Sequence, residues 1–155
     1  MKLTTMSRYG TRAVFDIAYH SAGLPVKVKD IAERQQIPIK FLEQIFHKLK
    51  NTDFMKSERG PGGGYLLTKD PSKITVGDII KGVKEDTDIV SCVCSSSEDG
   101  SPCSREGQCV TRSVWQRAAR QITNYFNSVT MTDLCDEAKK KNIKKDVHHP
   151  IEYSI

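Results

Sequence analysis

Five residues, Gly60-Pro61-Gly62-Gly63-Gly64, separate two short β-prone runs, Phe54-Met55-Lys56-Ser57-Glu58-Arg59 and Tyr65-Leu66-Leu67-Thr68. Glycine and proline at that density break any continuous helix, so the two runs predict a β-hairpin around a glycine loop. What precedes it is helical. Ala13, Val14, Ile17 and Ala18 recur at helical spacing between Tyr9 and His20, which predicts a first helix. Gly23, Pro25 and Val26-Lys27-Val28 interrupt it, and Asp30 to Gln35 reads as a short second helix with Ile31 and Ala32 inward. Pro38 opens a third, where Leu42, Ile45, Phe46 and Leu49 follow the i, i+3, i+4, i+7 pattern of one buried stripe. Three short helices followed by a hairpin predict a winged helix-turn-helix.

The charge distribution points the same way. The 155 residues carry a formal charge of +5. Residues 1–70 hold 12 basic and 7 acidic side chains, whereas residues 71–155 hold 12 of each. The positive excess thus lies where a polyanion-binding module would place it. No apolar run approaches the roughly 18 residues of a membrane span, so no membrane is expected as a partner. Met1-Lys2-Leu3-Thr4-Thr5-Met6 has no apolar signal core, and a cytoplasmic location is expected.

Beyond the hairpin, Thr75 reads as the N-cap of a helix carrying Ile79, Ile80 and Val83. Residues 91–109 are rich in Ser and Gly and read as an irregular loop. Val114, Trp115, Ala118, Ile122 and Phe126 mark one face of a long helix of roughly 16 residues. Thr130 caps a last short helix with Asp133, Leu134 and Ala138, and a lysine-rich tail follows.

In a helix-turn-helix the second helix of the pair enters the major groove. With its stripe buried, the third helix turns Lys40, Phe41, Glu43, Gln44, His47 and Lys48 outward. Gln44 suits adenine, Glu43 can accept from cytosine N4, Phe41 can touch a thymine methyl, and Lys40 and Lys48 suit phosphates. Taken alone, such a face is also what any exposed mixed-charge helix looks like. The hairpin and the charge skew favour DNA. At the wing tip, Arg59 and Gly60 stand where an arginine can enter a minor groove or clamp a phosphate. A nucleotide-binding P-loop does not fit, because no Gly-Lys-Ser/Thr ending follows the glycines.

Four of five cysteines, Cys92, Cys94, Cys103 and Cys109, fall within 18 residues, and Cys135 stands apart where a small buried residue would serve. In a reducing compartment such a cluster reads as a metal or redox centre rather than a disulfide framework. Its spacing lacks the paired knuckles of structural zinc sites, which favours an iron–sulfur cluster, with zinc and thiol switching left open. An electron-transfer protein is the competing class, but it predicts neither wing nor recognition helix. His20, His47, His148 and His149 show no ligand pattern with the cysteines.

Leu42-Glu43-Gln44-Ile45, Arg59-Gly60-Pro61-Gly62-Gly63-Gly64-Tyr65-Leu66-Leu67 and Ile74-Thr75-Val76-Gly77-Asp78-Ile79-Ile80, with Met1-Lys2-Leu3-Thr4 and Arg8-Tyr9, closely resemble the IscR-type iron–sulfur transcription regulators. The resemblance covers about residues 1–134. It implies a homodimer paired through the long helix, binding double-stranded promoter DNA and responding to iron–sulfur, iron or redox status. The implied cofactor is an iron–sulfur cluster, 2Fe–2S first and 4Fe–4S as the alternative. The family's three-cysteine loop maps onto Cys103, Cys109 and either Cys92 or Cys94. One departure matters. The histidine that completes a 2Fe–2S site in the cluster-biosynthesis regulators is Arg112 here, and the carboxylate used by other relatives is Arg8. Arginine has no free lone pair to offer a metal. The metal ligands expected instead are Cys92, Cys94, Cys103 and Cys109, an all-thiolate set. A cluster-free regulator of the same fold, acting by thiol oxidation, zinc or a protein partner, is the alternative.

The expected architecture is therefore mainly α with a small β-hairpin wing, a winged helix-turn-helix plus a long dimerisation helix. Residues 1–84 form the DNA-binding domain, 85–109 the cysteine loop, 110–138 the dimerisation and terminal helices, and 139–155 a flexible basic tail.

Overall fold

The Thr4 hydroxyl accepts the backbone N–H of Met6 at 3.1 Å and so starts the first helix, α1 (Thr5–His20). This is one turn earlier than apolar periodicity predicts. The extra turn fully buries only Ser7, whose hydroxyl donates to Glu85, and packs Met6 partly against the core, so hydrophobic periodicity registers it weakly. The computed structural model describes residues 3–85, 90, 105 and 107–146. Cys92, Cys94 and Cys103, most of the expected 85–109 loop, and the tail after Asp146 lie outside the described residues.

Helix α2 (Val28–Gln35) ends on Gln36 in the left-handed conformation, φ 52°, whose N–H returns to the carbonyls of Ala32 and Glu33. That reversal turns the chain within two residues into α3 (Ile39–Leu49), with Pro38 at its N-cap. Leu42, Ile45, Phe46 and Leu49 are fully buried, as the stripe predicts. They meet Ala13, Val14 and Ile17 of α1 and Ile31 of α2 in one core. Burial of each such side chain contributes about 1.5–3 kcal/mol against a conformational entropy cost of similar size.

Strands β1 (Met55–Glu58) and β2 (Gly64–Leu67) pair antiparallel, Met55 opposite Leu67 and Glu58 opposite Gly64. Gly60 takes φ +107°, which side-chain-bearing residues rarely adopt, and the Gly63 N–H closes the turn onto its carbonyl at 2.9 Å. A third segment joins this hairpin. Val26 exchanges two 2.8 Å backbone hydrogen bonds with Tyr65, and Gly64 leaves room for the Val26 backbone to pass. The Val26-Lys27-Val28 run, read from sequence as an interruption, thus tethers the wing to the start of α2.

Two capping boxes set the remaining helices. Thr75 and Asp78 bond reciprocally at the start of α4 (Val76–Gly82), and Thr130 and Asp133 do so at the start of α6 (Met131–Lys140). The two starts are stitched together, Val76 N–H to Val129 carbonyl and Met131 N–H to Ile74 carbonyl, each 2.9 Å. Between them, α5 (Arg112–Ser128) packs on α4. The basic tail expected from residue 139 onward differs in its first part: α6 runs to Lys140, and residues 143–146 lie against α1 and α2. Backbone and side-chain hydrogen bonds, absent from any composition argument, hold them there.

Candidate nucleic-acid interface and cysteine loop

Helix α3 presents Lys40, Glu43, Gln44 and His47 to solvent on the side opposite its buried stripe. Phe41 is only half exposed, because its ring meets Tyr9 edge-on with centroids 5.5 Å apart. Lys48 departs from the expected phosphate role. Its ammonium donates to the Val83 carbonyl at 3.0 Å, at the C-terminal end of α4, where a cation complements the helix dipole. Arg59 and Gly60 are exposed at the wing tip, and Lys56 pairs with Glu58 at 3.1 Å on β1.

Tyr65, which in the sequence stands only as the first residue of the second β-run, joins these parts. Its ring stacks on the buried Phe46 at 4.3 Å and 22°, while its backbone bridges to Val26. One residue therefore ties α3, the wing and the entry to α2. Burial pushes the Tyr65 phenol above its ordinary value, and the carboxylate of Glu43 adds to the shift. An aromatic immediately after the glycine loop was the only local signal for it.

The helix-turn-helix is also held by a buried charge pair that periodicity hides. Asp16 is wholly buried on α1 and accepts from Arg34 Nη2 at 2.7 Å, Arg34 Nε at 3.1 Å and Gln35 Nε2 at 2.9 Å. With its oxygens so satisfied, the carboxylate can remain buried. Removing one partner from such a pair typically costs about 3–5 kcal/mol.

Cys109 lies three residues before Arg112, the first residue of α5. Its thiol lies 3.3 Å from the Thr111 hydroxyl. That hydroxyl, then the Arg112 backbone N–H, lowers the thiol below its ordinary value, with Arg105 adding a smaller effect in the same direction. A thiolate so favoured is the form that binds soft metals. Among the described residues no three His, Cys, Asp or Glu side chains are gathered for a metal, and Cys109 is the only expected ligand among them. Cys135, half-buried on α6, has its thiol pushed up by burial, which suits the packing role expected for it. Along α5, Val114, Trp115 and Tyr125 are 56 %, 40 % and 65 % exposed, while Ala119 is buried.

Comparison with known proteins decides what these pieces belong to. The family model Rrf2, described as an iron-dependent transcriptional regulator, matches residues 3–137. This chain belongs to the Rrf2 family. The HTH-type transcriptional regulator IscR of Yersinia pseudotuberculosis is 40 % identical over 134 residues, covering 86 % of this chain and 79 % of that protein. Among solved structures, T. potens IscR is 32 % identical with a TM-score of 0.71, and 94 % of each chain is covered. CymR, the global cysteine regulator of B. subtilis, is 31 % identical with a TM-score of 0.70, covering 88 % of this chain and 98 % of that one. The Rrf2 chain is accordingly a DNA-binding transcriptional regulator and not an enzyme. Among the described residues, six α-helices and a two-stranded hairpin form the mainly α, winged helix-turn-helix architecture expected from the sequence. No helix among the described residues is long and apolar enough to cross a membrane.

Proposed function

We propose that this Rrf2-family regulator is a cytoplasmic homodimer that binds palindromic promoter DNA and is switched by an iron–sulfur cluster on the cysteine loop. One observation carries the DNA-reading part. Helix α3 buries its entire apolar stripe within its own chain and leaves Lys40, Glu43, Gln44 and His47 exposed, while the same core ring, Phe46, carries the wing through Tyr65. Glu43 and Gln44 read base edges, part of the Phe41 ring reaches a thymine methyl, Lys40 and His47 contact the backbone, and Arg59 and Gly60 engage the adjacent groove. The uncovered Val114, Trp115 and Tyr125 on α5 support pairing of two copies. Recognition helices on the two copies then address half-sites about 34 Å apart, so small rearrangements at the dimer helix change affinity.

The donor chemistry fits a cluster. Cys92, Cys94, Cys103 and Cys109 would hold it, and Arg112, at the helix start beside Cys109, leaves a thiol as the replacement for the family's histidine. When bound, the cluster supplies sensitivity to iron and redox state. The Thr111 hydroxyl lowers the Cys109 thiol below its ordinary value, and α5 begins within three residues, which joins the sensing loop directly to the dimer helix. Purification without oxygen, followed by absorption and Mössbauer spectra, tests the ligand set. Cys92→Ser and Cys94→Ser are expected to lose or alter the cluster; full retention in both variants overturns the four-thiolate reading. The depressed Cys109 thiol also supports direct thiol oxidation as a second reading. Under that reading peroxide changes the gel shift on promoter DNA in metal-free protein, whereas under the first it does not.

A further inference from the structure

The Rrf2 match ends at residue 137, and the described residues run on to Asp146. After α6 the backbone turns at Asn142, φ 54°, and the Ile143 N–H returns to the Ala138 carbonyl at 3.0 Å. Residues 143–146 then lie on the helix-turn-helix. The Tyr19 hydroxyl donates to the Ile143 carbonyl at 2.7 Å, and the Lys145 ammonium lies 5.2 Å above the Tyr19 ring. The Asp146 N–H donates to His20 Nδ1 at 2.9 Å, and Arg34 Nη1 donates to Asp146 Oδ2 at 3.2 Å. Arg34 meanwhile holds the buried Asp16 with Nε and Nη2. Strap, α1 and α2 therefore share one polar network, with Arg34 as its hinge and His20 at its centre.

The bond from Asp146 dictates the state of the ring. An N–H can be accepted at Nδ1 only while that nitrogen keeps its lone pair. An imidazolium would set two N–H groups head to head and release the strap. The charged groups facing His20 are Asp16 on α1, Arg34 on α2, and Lys145 and Asp146 on the strap, with the Tyr19 ring edge-on at 5.1 Å. Burial lowers the imidazole below its ordinary 6.5, Arg34 and Lys145 push the same way, and Asp16, 4.0 Å from Nε2, and Asp146 oppose them. A lowered folded value means that docking is intact above the ordinary value and is lost as pH falls through the folded one.

We propose that His20 is a positioning residue for DNA binding: its neutral ring fastens residues 143–146 across α1 and α2, and the strap sets the seat of α2 beneath the recognition helix. This rests on α2 and α3 being the DNA-reading pair. The test uses the full chain and a duplex selected by it from a random library at about pH 7.5. Two quantities are read there and at about pH 5.5: protection of the Asp146 amide from hydrogen exchange, and duplex affinity by fluorescence anisotropy. The native chain is expected to lose Asp146 protection on acidification and to lose about tenfold more affinity than His20→Asn. The asparagine offers an acceptor that does not titrate, so that variant retains protection at both pH values, and any pH effect on the rest of the chain is common to both proteins. A chain ending after Asn142 is expected to bind weakly at both pH values, with no pH step. Equal Asp146 protection at both pH values in the native chain overturns the proposal, as does an identical affinity step in His20→Asn. Failure to enrich any duplex at the higher pH overturns instead the DNA-reading assignment on which it rests.

Discussion

Helices α3 and α5 are both amphipathic, yet they dispose of their apolar faces in opposite ways. In α3 the stripe is spent inside the chain: Leu42, Ile45, Phe46 and Leu49 are all fully buried, and the surface left over is polar and charged. In α5 only Ala119 is buried, and Trp115 and Tyr125 stand in solvent. The same periodicity therefore serves two purposes. A stripe satisfied within its own core frees the opposite face for a polyanion. The α5 stripe is covered only in part, with Ala118, Ile122 and Phe126 half-buried and Val114 and Trp115 exposed, and that uncovered remainder is what supports the proposed pairing of two copies.

Substitutions on the two helices should separate those purposes. Phe46→Ala removes a fully buried ring and the platform under Tyr65; a loss of about 3–5 kcal/mol in global stability is expected by chemical denaturation. A loss below about 1 kcal/mol would show that the α3 stripe is not the core it resembles. Trp115→Asp on α5 should leave folding nearly intact but raise the dimer dissociation constant by about 100-fold in sedimentation equilibrium. If it instead unfolds the chain, α5 belongs to the same core as α3 and the contrast disappears. Arg59→Ala is expected to weaken DNA binding by about tenfold on all sequences alike and to reduce the salt slope by about one. The smallest effect on affinity belongs to Glu43→Ala, which should relax discrimination at one base pair by about 1–3 kcal/mol in competition binding and leave non-specific affinity unchanged. Unaltered preference among operator variants would assign base reading elsewhere on α3.

Local rules accounted for much of this architecture. The α3 stripe follows 3.6-residue periodicity, the glycine loop forces the hairpin, and Thr75 and Thr130 cap helices as threonines followed three residues later by aspartate should. Contacts between residues distant in sequence were out of reach of such rules. The start of α1 went unseen because its first turn buries Ser7. Val26 carried no sign of its pairing with Tyr65, some 40 residues away. Asp16 has the local sequence of an exposed aspartate, and only the fold brings Arg34 and Gln35 around it. Lys48 counted as a phosphate-binding cation until the end of α4 claimed its ammonium.

The sequence by itself determined which class of molecule this is, through a wing, a recognition helix, a basic first half and a family likeness, each written in neighbouring residues. Only the tertiary structure decided how the DNA-reading parts are held to one another: Tyr65 between Phe46 and Val26, Asp16 between α1 and α2, and residues 143–146 fastened across both by His20 and Arg34. The physical reason is that periodicity and capping are set by local backbone geometry, whereas a buried polar bond exists only where folding brings its donor and acceptor together out of water.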